Sequence, residues 1–531
     1  MIEGGFMSDS YDVVAIGSGH NGLVAAAYMA KAGKKVLVLE RQDWIGGGVV
    51  TRELTRPGFK HDQHSMAHIF IQANPMIVND ELGLLSKYGL EYIHPEIPMI
   101  SVFPDGNTLA IHTDREKNIA EIARFSEADA ESYRRFSEKA AGILPALVGT
   151  LYTPPAPIGA MYAMMDQSRE GQEIMSIMMK SAYDIVLEYF QDERVRLHFL
   201  RMVSENLTGP EEKGTGIGPF MFLGWLEKYG IGVAKGGSGM LSQALVNCIE
   251  DFGGEVVTNT SISKVLVSDG RAVGVVTDEG REIRAKDAVI GAIHPHLLPD
   301  MVDGLDPFVA QTAKKVELSA NCVFTIHAAL DEPLQFAAGD HVKKAMMIEL
   351  LPDSIDTLRD HFDDLRYGRI PRNSLCALGS ATNIDPSRAP EGKATMHAWD
   401  YCPYEHPDGG AAAWDRHKEA FADHMIANMQ PYVPNLSRDI ILDWHCDSPL
   451  DMERTSASFQ KGDIHGVAPY LYQFGAHRPT PELGKNTVPG IERLYLVGPF
   501  QHPGGGVFGA GRGTAMTMFD QMGMDFDKVI S

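Results

Sequence analysis

The sequence predicts an α/β protein organised around a Rossmann-type unit, and three stretches carry that prediction. The first is Tyr11 to Glu40, YDVVAIGSGHNGLVAAAYMAKAGKKVLVLE. It reads as an apolar strand to Ile16, then Gly17, Gly19 and Gly22 at G-x-G-x-x-G spacing, an unbroken helical run to Ala32, and a second strand closing on an acid. The second begins at Lys235, where Gly236-Gly237-Ser238-Gly239-Met240 opens the helix Leu241–Phe252 ahead of strands with turns at Asp269-Gly270 and Glu279-Gly280. The third is the strand Leu494–Val497, the turn Gly504–Gly506 and a helix from Gly509 to Met522.

Each residue type in the first unit has a physical task. Gly17 permits the tight turn. Gly19 lets a pyrophosphate approach the backbone, and Gly22 lets helix pack close to strand. The helix start offers free N–H groups and the positive end of its dipole to phosphate. Glu40 stands where a carboxylate accepts hydrogen bonds from ribose hydroxyls. The triplet Gly46–Gly48 follows, and glycines there let backbone pass close to a second part of a long dinucleotide. Arg41 and Arg52 flank it, to face phosphate or to fix the loop.

Gly17-Ser18-Gly19-His20-Asn21-Gly22, Glu40-Arg41 and Gly46-Gly47-Gly48 resemble the N-terminus of FAD-dependent oxidoreductases of the phytoene desaturase type. That family includes the carotenoid desaturases and isomerases and is related more distantly to the flavin amine oxidases. The resemblance implies a discontinuous Rossmann-type FAD-binding domain at 9–113, 231–299 and 485–531. An α+β substrate domain is inserted at 114–230 and 300–484. It implies cofactor contacts at Gly17, Gly19, Gly22, Glu40, Arg41, Gly47 and Gly48, and an adenine contact at the backbone of Ile262. It also implies that Gly498, Gly506, Val507 and Phe508 bring the last helix beneath the flavin ring, where the helix dipole stabilises negative charge. One fingerprint is visible, so FAD is expected as the bound cofactor without a dedicated nicotinamide domain. No cysteine follows Cys446, so FAD is expected to be non-covalent.

The remaining segments are read in order. Leu82 to Thr113 gives a short helix and then strands, with Asp105-Gly106 turning a hairpin between Ile100–Phe103 and Thr108–His112. Residues 114–230 are mostly helical, broken at Pro154, Pro155 and Pro157. Met161, Met164, Met165, Met175, Met178 and Met179 concentrate within them, and helix-spaced apolar residues favour core over a substrate lid. Ala288–Ala292 is the strand returning toward the pyrophosphate. Ala320–Leu330, Ser374–Gly379 and Ala394–Tyr401 read as strands of the second insertion.

Totals narrow the function classes. A chain of 531 residues exceeds one compact core. A net charge of −23 opposes nucleic acid and simple electrostatic docking on anionic membranes. No apolar run reaches the length of a membrane span. The five scattered cysteines form no C-x-x-C and suit a reducing compartment. The first residues are not a secretory signal, and Met7 is a candidate natural start with residues 1–6 a leader. These features point to a cytoplasmic protein and leave peripheral membrane contact and oligomerisation open.

The chemistry expected is the cofactor's: hydride leaves a substrate C–H, and oxygen or a quinone-like acceptor takes the electrons. The substrate is expected to be a lipophilic or aromatic small molecule. His61, Asp62, His64 and His68 cluster after the glycine-rich loop. His64 and His502 are the candidate bases, and His68, Tyr470 and Tyr472 candidate pocket residues. His64 and His68 share i, i+4 spacing, but without a third ligand no metal is expected. Pro499 follows Gly498 where flavin amine oxidases usually carry an acid, and no aromatic cage is recognisable in Pro499–Gly509. Both weaken a second reading, an amine or alcohol oxidase with a polar substrate. A third is an FAD-bearing interaction protein without turnover.

Overall fold

The structure, a computed structural model, describes residues 10–531; Met7 and the leader question lie outside the described residues. One sheet of eight strands is assembled from three separated parts of the chain. Ser10–Ile16 lies near its centre, parallel to Val36–Leu39 on one side and to Glu282–Gly291 on the other. Glu255–Val257 continues the sheet beyond Val36–Leu39, and Ile491–Leu496 continues it beyond Glu282–Gly291, both in parallel. Ile262–Ser268 and Arg271–Thr277 add an antiparallel flank. Tyr11, Val13, Val14 and Ala15 are wholly buried, as strands covered on both faces must be.

The helix His20–Lys31 explains its own composition. All residues from Asn21 to Ala30 are buried, so the run Ala25-Ala26-Ala27 keeps neighbours close rather than serving solvent. It packs against two helices, Gly239–Asp251 and the last long helix, Gly511–Gln521. A Cβ at Gly511 would lie 2.0 Å from the Asn21 carbonyl oxygen and 2.8 Å from the Ala25 nitrogen. Backbone meets backbone there, and the Asn21 side chain accepts a hydrogen bond from the Ala510 N–H at 2.8 Å. Asn74 donates to the Phe508 carbonyl at 2.8 Å, fixing the same turn from the other side. Arg512 donates two hydrogen bonds of 2.8 Å to the buried Glu81 carboxylate, which also accepts from Tyr28. Removing one partner of such a buried pair costs about 3–5 kcal/mol, because the other charge is stranded.

A second sheet has the strand order Ile441–Asp447, Cys322–Leu330, Ala394–Cys402, Ala377–Gly379, Ala345–Leu350, Ile97–Val102, Thr108–Ile111. Its pairings are antiparallel except Ala345–Leu350 with Ile97–Val102. The sequence pattern groups the 97–111 hairpin with the segments before it. The hairpin instead hydrogen-bonds into this second sheet through a parallel partner far along the chain, which no local pattern encodes. Residues 115–229 form seven helices over one side. Among them Ile158–Met165 has no buried residue and Met164 is 69% exposed, whereas Met178 is buried. The core reading of the methionine-rich stretch therefore holds for Met178 in its second helix, Arg169–Met179, where Met179 is 54% exposed, and not for its first.

Candidate functional site

The two sheets face a cavity of 510 Å³. The fingerprint lines one end of it. Gly17, Gly19 and Gly22 all reach the cavity, and the three glycines are glycine for three different reasons. Gly17 has φ +84°, a conformation that side chains resist. Gly19 has an ordinary φ of −56°, and a Cβ there would meet nothing within 4 Å; its missing side chain leaves room in the cavity itself. Gly22 needs close packing, since a Cβ would sit 3.1 Å from the Gly17 oxygen.

Glu40 also lines the cavity. One carboxylate oxygen accepts from the Ser18 N–H and hydroxyl, both at 2.8 Å, and the other from the Gln42 N–H at 2.9 Å. The carboxylate is thereby held in place, and its remaining acceptor capacity faces the cavity. Gly47 and Gly48 line the same wall; a Cβ on Gly47 would lie 3.0 Å from the Gly19 Cα. Arg41 lines the cavity edge and donates to the Arg454 carbonyl at 3.2 Å. Ile262 lines it beside Thr260 and Ser261.

From the other terminus come Gly498, Gly506 and Val507. Phe508 is not part of the lining. Its ring stacks on Phe70 at 4.4 Å and 4°, and Phe70 is the ring that reaches the cavity. Beyond these, the wall is built by Val323, Met347 and Trp399 of the second sheet, Phe222 of a helix, and Leu207 and Phe459 of loops.

The other named side chains disperse. His64 lines the cavity, its ring edge-on to Phe459 at 5.3 Å, and burial pushes its pKa down to about 4. His68 is not in the lining; its Nδ1 bonds the Tyr92 hydroxyl at 2.9 Å. The segment between them is not helical, so the i, i+4 spacing does not bring their rings together. His502 is buried outside the lining, its Nε2 3.1 Å from the Thr150 carbonyl oxygen. Tyr470 and Tyr472 stack on one another at 5.8 Å outside the lining, and Tyr472 is 57% exposed and donates to Glu317. Among the described residues, His406, Asp408 and His417 bring possible metal-ligand atoms within 4.8 Å, and none of the three lines this cavity. The rings of His406 and His417 stack at 4.2 Å and 9°, so their lone pairs run side by side rather than converge on one ion.

One group that sequence reasoning missed is Glu205. It lines the cavity, with Arg201 2.5 Å behind it. The same guanidinium lies 2.9 Å from Glu349, which is wholly buried. Burial first, and then the Glu349 charge, push the Glu205 carboxyl well above its ordinary range. A second buried carboxyl beside the same guanidinium disfavours the ionised form of Glu205. The signal was in the sequence: Arg201 and Glu205 are charges at i, i+4 inside the apolar run LHFLRMVSENL.

A long cavity running from a Rossmann glycine turn and ribose acid to a C-terminal glycine turn defines an FAD-binding flavoprotein, and the open space at Gly19 fits that group. The chain belongs to the flavin containing amine oxidoreductase family, whose model matches residues 22–510. It is an FAD-dependent oxidoreductase, and FAD is its cofactor. It is 26% identical to one of the subunits of the limonene dehydrogenase of Castellaniella defragrans, over 98% of this chain and 97% of that protein. Pyridine nucleotide-disulfide oxidoreductase domain-containing protein 2 of Rattus norvegicus is 28% identical, over 97% of this chain and 94% of that one. The lycopene-forming phytoene desaturase of Pantoea ananas is 25% identical, over 96% and 99%. The crystal structure of an oxidoreductase from Methanosarcina mazei shares the fold with a TM-score of 0.63 at 17% identity, covering 96% of this chain and 99% of that one. Putrescine oxidase bound to putrescine does so at 0.57 and 16%, covering 97% and 99%.

Two outcomes follow from this geometry. Gly19→Ala is compatible with the backbone and collides with no protein atom, so the apoprotein keeps its stability within about 0.5 kcal/mol while FAD affinity falls at least tenfold. Flavin fluorescence titration read beside a denaturant melt checks it; equal losses in both contradict it. The second concerns acid. Burial lowers His64, His68, His397, His465 and His502 to about 4, and His20, His61, His198 and His294 to about 3. Their folded pKa values lie below the unfolded value of 6.5, so the unfolded chain binds more protons as pH falls below 6.5 and stability is lost toward pH 4. At pH 5 each such group costs on the order of 2 kcal/mol. Glu205, Glu349 and Asp463 are pushed up and act in the opposite sense, but are outnumbered. Calorimetry at equal FAD loading is expected to show the unfolding midpoint dropping steeply from pH 7 to 5, where a flat or rising midpoint contradicts the burial of these rings.

Proposed function

We propose that this chain takes a hydride from a C–H bond of a lipophilic or aromatic small molecule, as a desaturase, dehydrogenase or oxidase. The observation that carries the reading is the wall opposite the glycine turns. Met66, Phe70, Leu207, Phe222, Met347 and Trp399 give the cavity an apolar side large enough for a ring or a polyene segment. FAD supplies the hydride acceptor when bound. The chain's own contribution is to exclude water and to hold the substrate flat between aromatic and thioether side chains. Glu205 offers a carboxyl oxygen where a proton is given up or taken. The names limonene dehydrogenase and phytoene desaturase, carried by relatives over nearly the whole chain, support a hydrocarbon-like substrate.

The electron acceptor in this reading is oxygen or a quinone-like molecule. In this reading the protein works in the cytoplasm with room for peripheral membrane contact, which the helix Ile158–Met165, apolar yet unburied, supports. No helix among the described residues is long and apolar enough to cross a membrane. The second reading, an oxidase of amines or alcohols, draws on the polar groups His64, Glu205 and His397 in the same wall.

An anaerobic panel of terpenes, polyenes, aromatic alcohols and amines separates the readings. Loss of the flavin's visible absorbance is expected with apolar or aromatic compounds, at rates at least tenfold above aliphatic amines of similar size. Reduction by amines alone overturns the first reading. Reduction by no compound points to a flavin-bearing protein without turnover. Peroxide release on admitting air then distinguishes oxygen from another acceptor.

A further inference from the structure

The cavity wall formed by the second sheet contains polar atoms that the apolar reading does not use. Three neighbouring strands of the second sheet place histidines at one register: His327 pairs opposite His397 on one side and opposite His445 on the other. The rings of His327 and His397 stack at 4.5 Å. Alternation puts Thr325 and His327 on one face of their strand, and His397 and Trp399 on the matching face of the next. Thr325, His397 and Trp399 line the cavity, and His64 lines it from the loop that follows the glycine triplet. His397 is 8% exposed and Thr325 4%.

The polar side-chain atoms of His64, Thr325, His327 and His397 have no hydrogen-bond partner among the described residues. Both ring nitrogens of His64 and both of His397 are unpartnered, as is the Thr325 hydroxyl, and behind them both nitrogens of His327. Buried donors and acceptors left unpaired carry the full cost of desolvation, so such a group of atoms favours a ligand that completes it. A hydrocarbon cannot. The nitrogens also do not converge on a point as metal ligands would: the close group of ligand atoms found among the described residues lies elsewhere.

The geometry points to a polar subsite at His397, Thr325 and His64 that takes a neutral oxygen of the substrate, a hydroxyl or a carbonyl. The substrate is then an oxygenated lipophile, its apolar body against Met347, Trp399 and Phe459.

Charge selects the neutral group. Burial keeps the imidazoles of His64 and His397, and that of His327 behind them, uncharged near neutral pH. The acids facing them, Asp62 and Asp447, lie outside the lining and are engaged except at the Asp62 Oδ2. Asp62 pairs with Arg388 at 2.9 Å, and Asp447 accepts from His445 at 3.0 Å and from Gln63 at 3.0 Å. A carboxylate would find the nearby guanidiniums engaged, Arg388 with Asp62 and Arg52 with Gln63 and the Trp44 ring, and would face those two acids. An ammonium would be stripped of water there with no direct ion pair, since Asp62 and Asp447 lie behind the lining. A hydroxyl uses both a neutral imidazole acceptor and a threonine or imidazole donor.

This rests on the lipophilic reading above, and its test reads binding rather than turnover, so the two fail separately. FAD-loaded protein is titrated with para-cymene, 4-isopropylbenzyl alcohol, 4-isopropylbenzaldehyde, 4-isopropylbenzylamine and 4-isopropylbenzoate, following perturbation of the flavin spectrum. The alcohol and the aldehyde are expected to bind at least tenfold tighter than the hydrocarbon, and the benzoate and amine more weakly than the alcohol. In Thr325→Val with His397→Leu the alcohol-to-hydrocarbon ratio is expected to fall below threefold; the isosteric Thr325→Val alone serves if the double variant does not fold. A wild-type ratio near one, a preference for the benzoate or the amine, or a ratio unchanged by the variants overturns the subsite. A crystal of the FAD-loaded protein soaked in the alcohol decides the case in which no spectrum shifts. The hydroxyl within hydrogen-bond reach of His397 or Thr325 supports it, and an alcohol oriented otherwise or absent overturns it. Flavin that no compound reduces would sink the reaction and leave the ratio to judge the subsite.

Discussion

The carbonyl of Asn21 and the backbone of Gly511 lie so close that no side chain can stand between them. That contact joins the first helix to the last and sets most of what surrounds it. It carries the C-terminal glycine turn to the Rossmann turn, with the Asn21 side chain bonding Ala510 and Asn74 bonding Phe508. The buried Arg512–Glu81 pair holds the same junction from beneath. A dinucleotide site built from both ends of the chain depends on this closure, and the central parallel strands Ser10–Ile16, Glu282–Gly291 and Ile491–Leu496 keep it in register.

Burial then sets the electrostatics. The cavity wall carries imidazoles without charge near neutral pH and a glutamate whose carboxyl is pushed up, because the protein's interior disfavours the ionised form of each. Neutral polar groups in a dry pocket can orient a weakly polar substrate without attracting ions.

The fingerprint was legible because its meaning is local. Spacing alone gives Gly17, Gly19 and Gly22 their turn, their open space and their close packing, and Glu40 follows at the end of the next strand. The helical block and most strands were legible from periodicity and turn residues. The register of the second sheet was not. The sequence shows Thr325, His327, His397 and His445 as scattered polar residues in apolar strands, and only pairing between distant strands puts them in one row. For the same reason the 97–111 hairpin could not be matched to Ala345–Leu350. Proximity in sequence also misled about direction: His68 and His502 flank cavity segments, yet each turns to a partner outside the lining, Tyr92 and the Thr150 carbonyl. Glu205 was overlooked because a single acid in a helix is ordinary until burial is known.

The central claim is that the two chain ends close on one FAD per chain, held without a covalent bond. The most direct measurement denatures the yellow protein as purified, separates the chromophore from the polypeptide and counts it. One FAD released per chain, with no flavin left on the polypeptide, is the result this account predicts. A folded protein that is colourless and takes up no added FAD would contradict it, as would flavin that stays attached to the denatured chain.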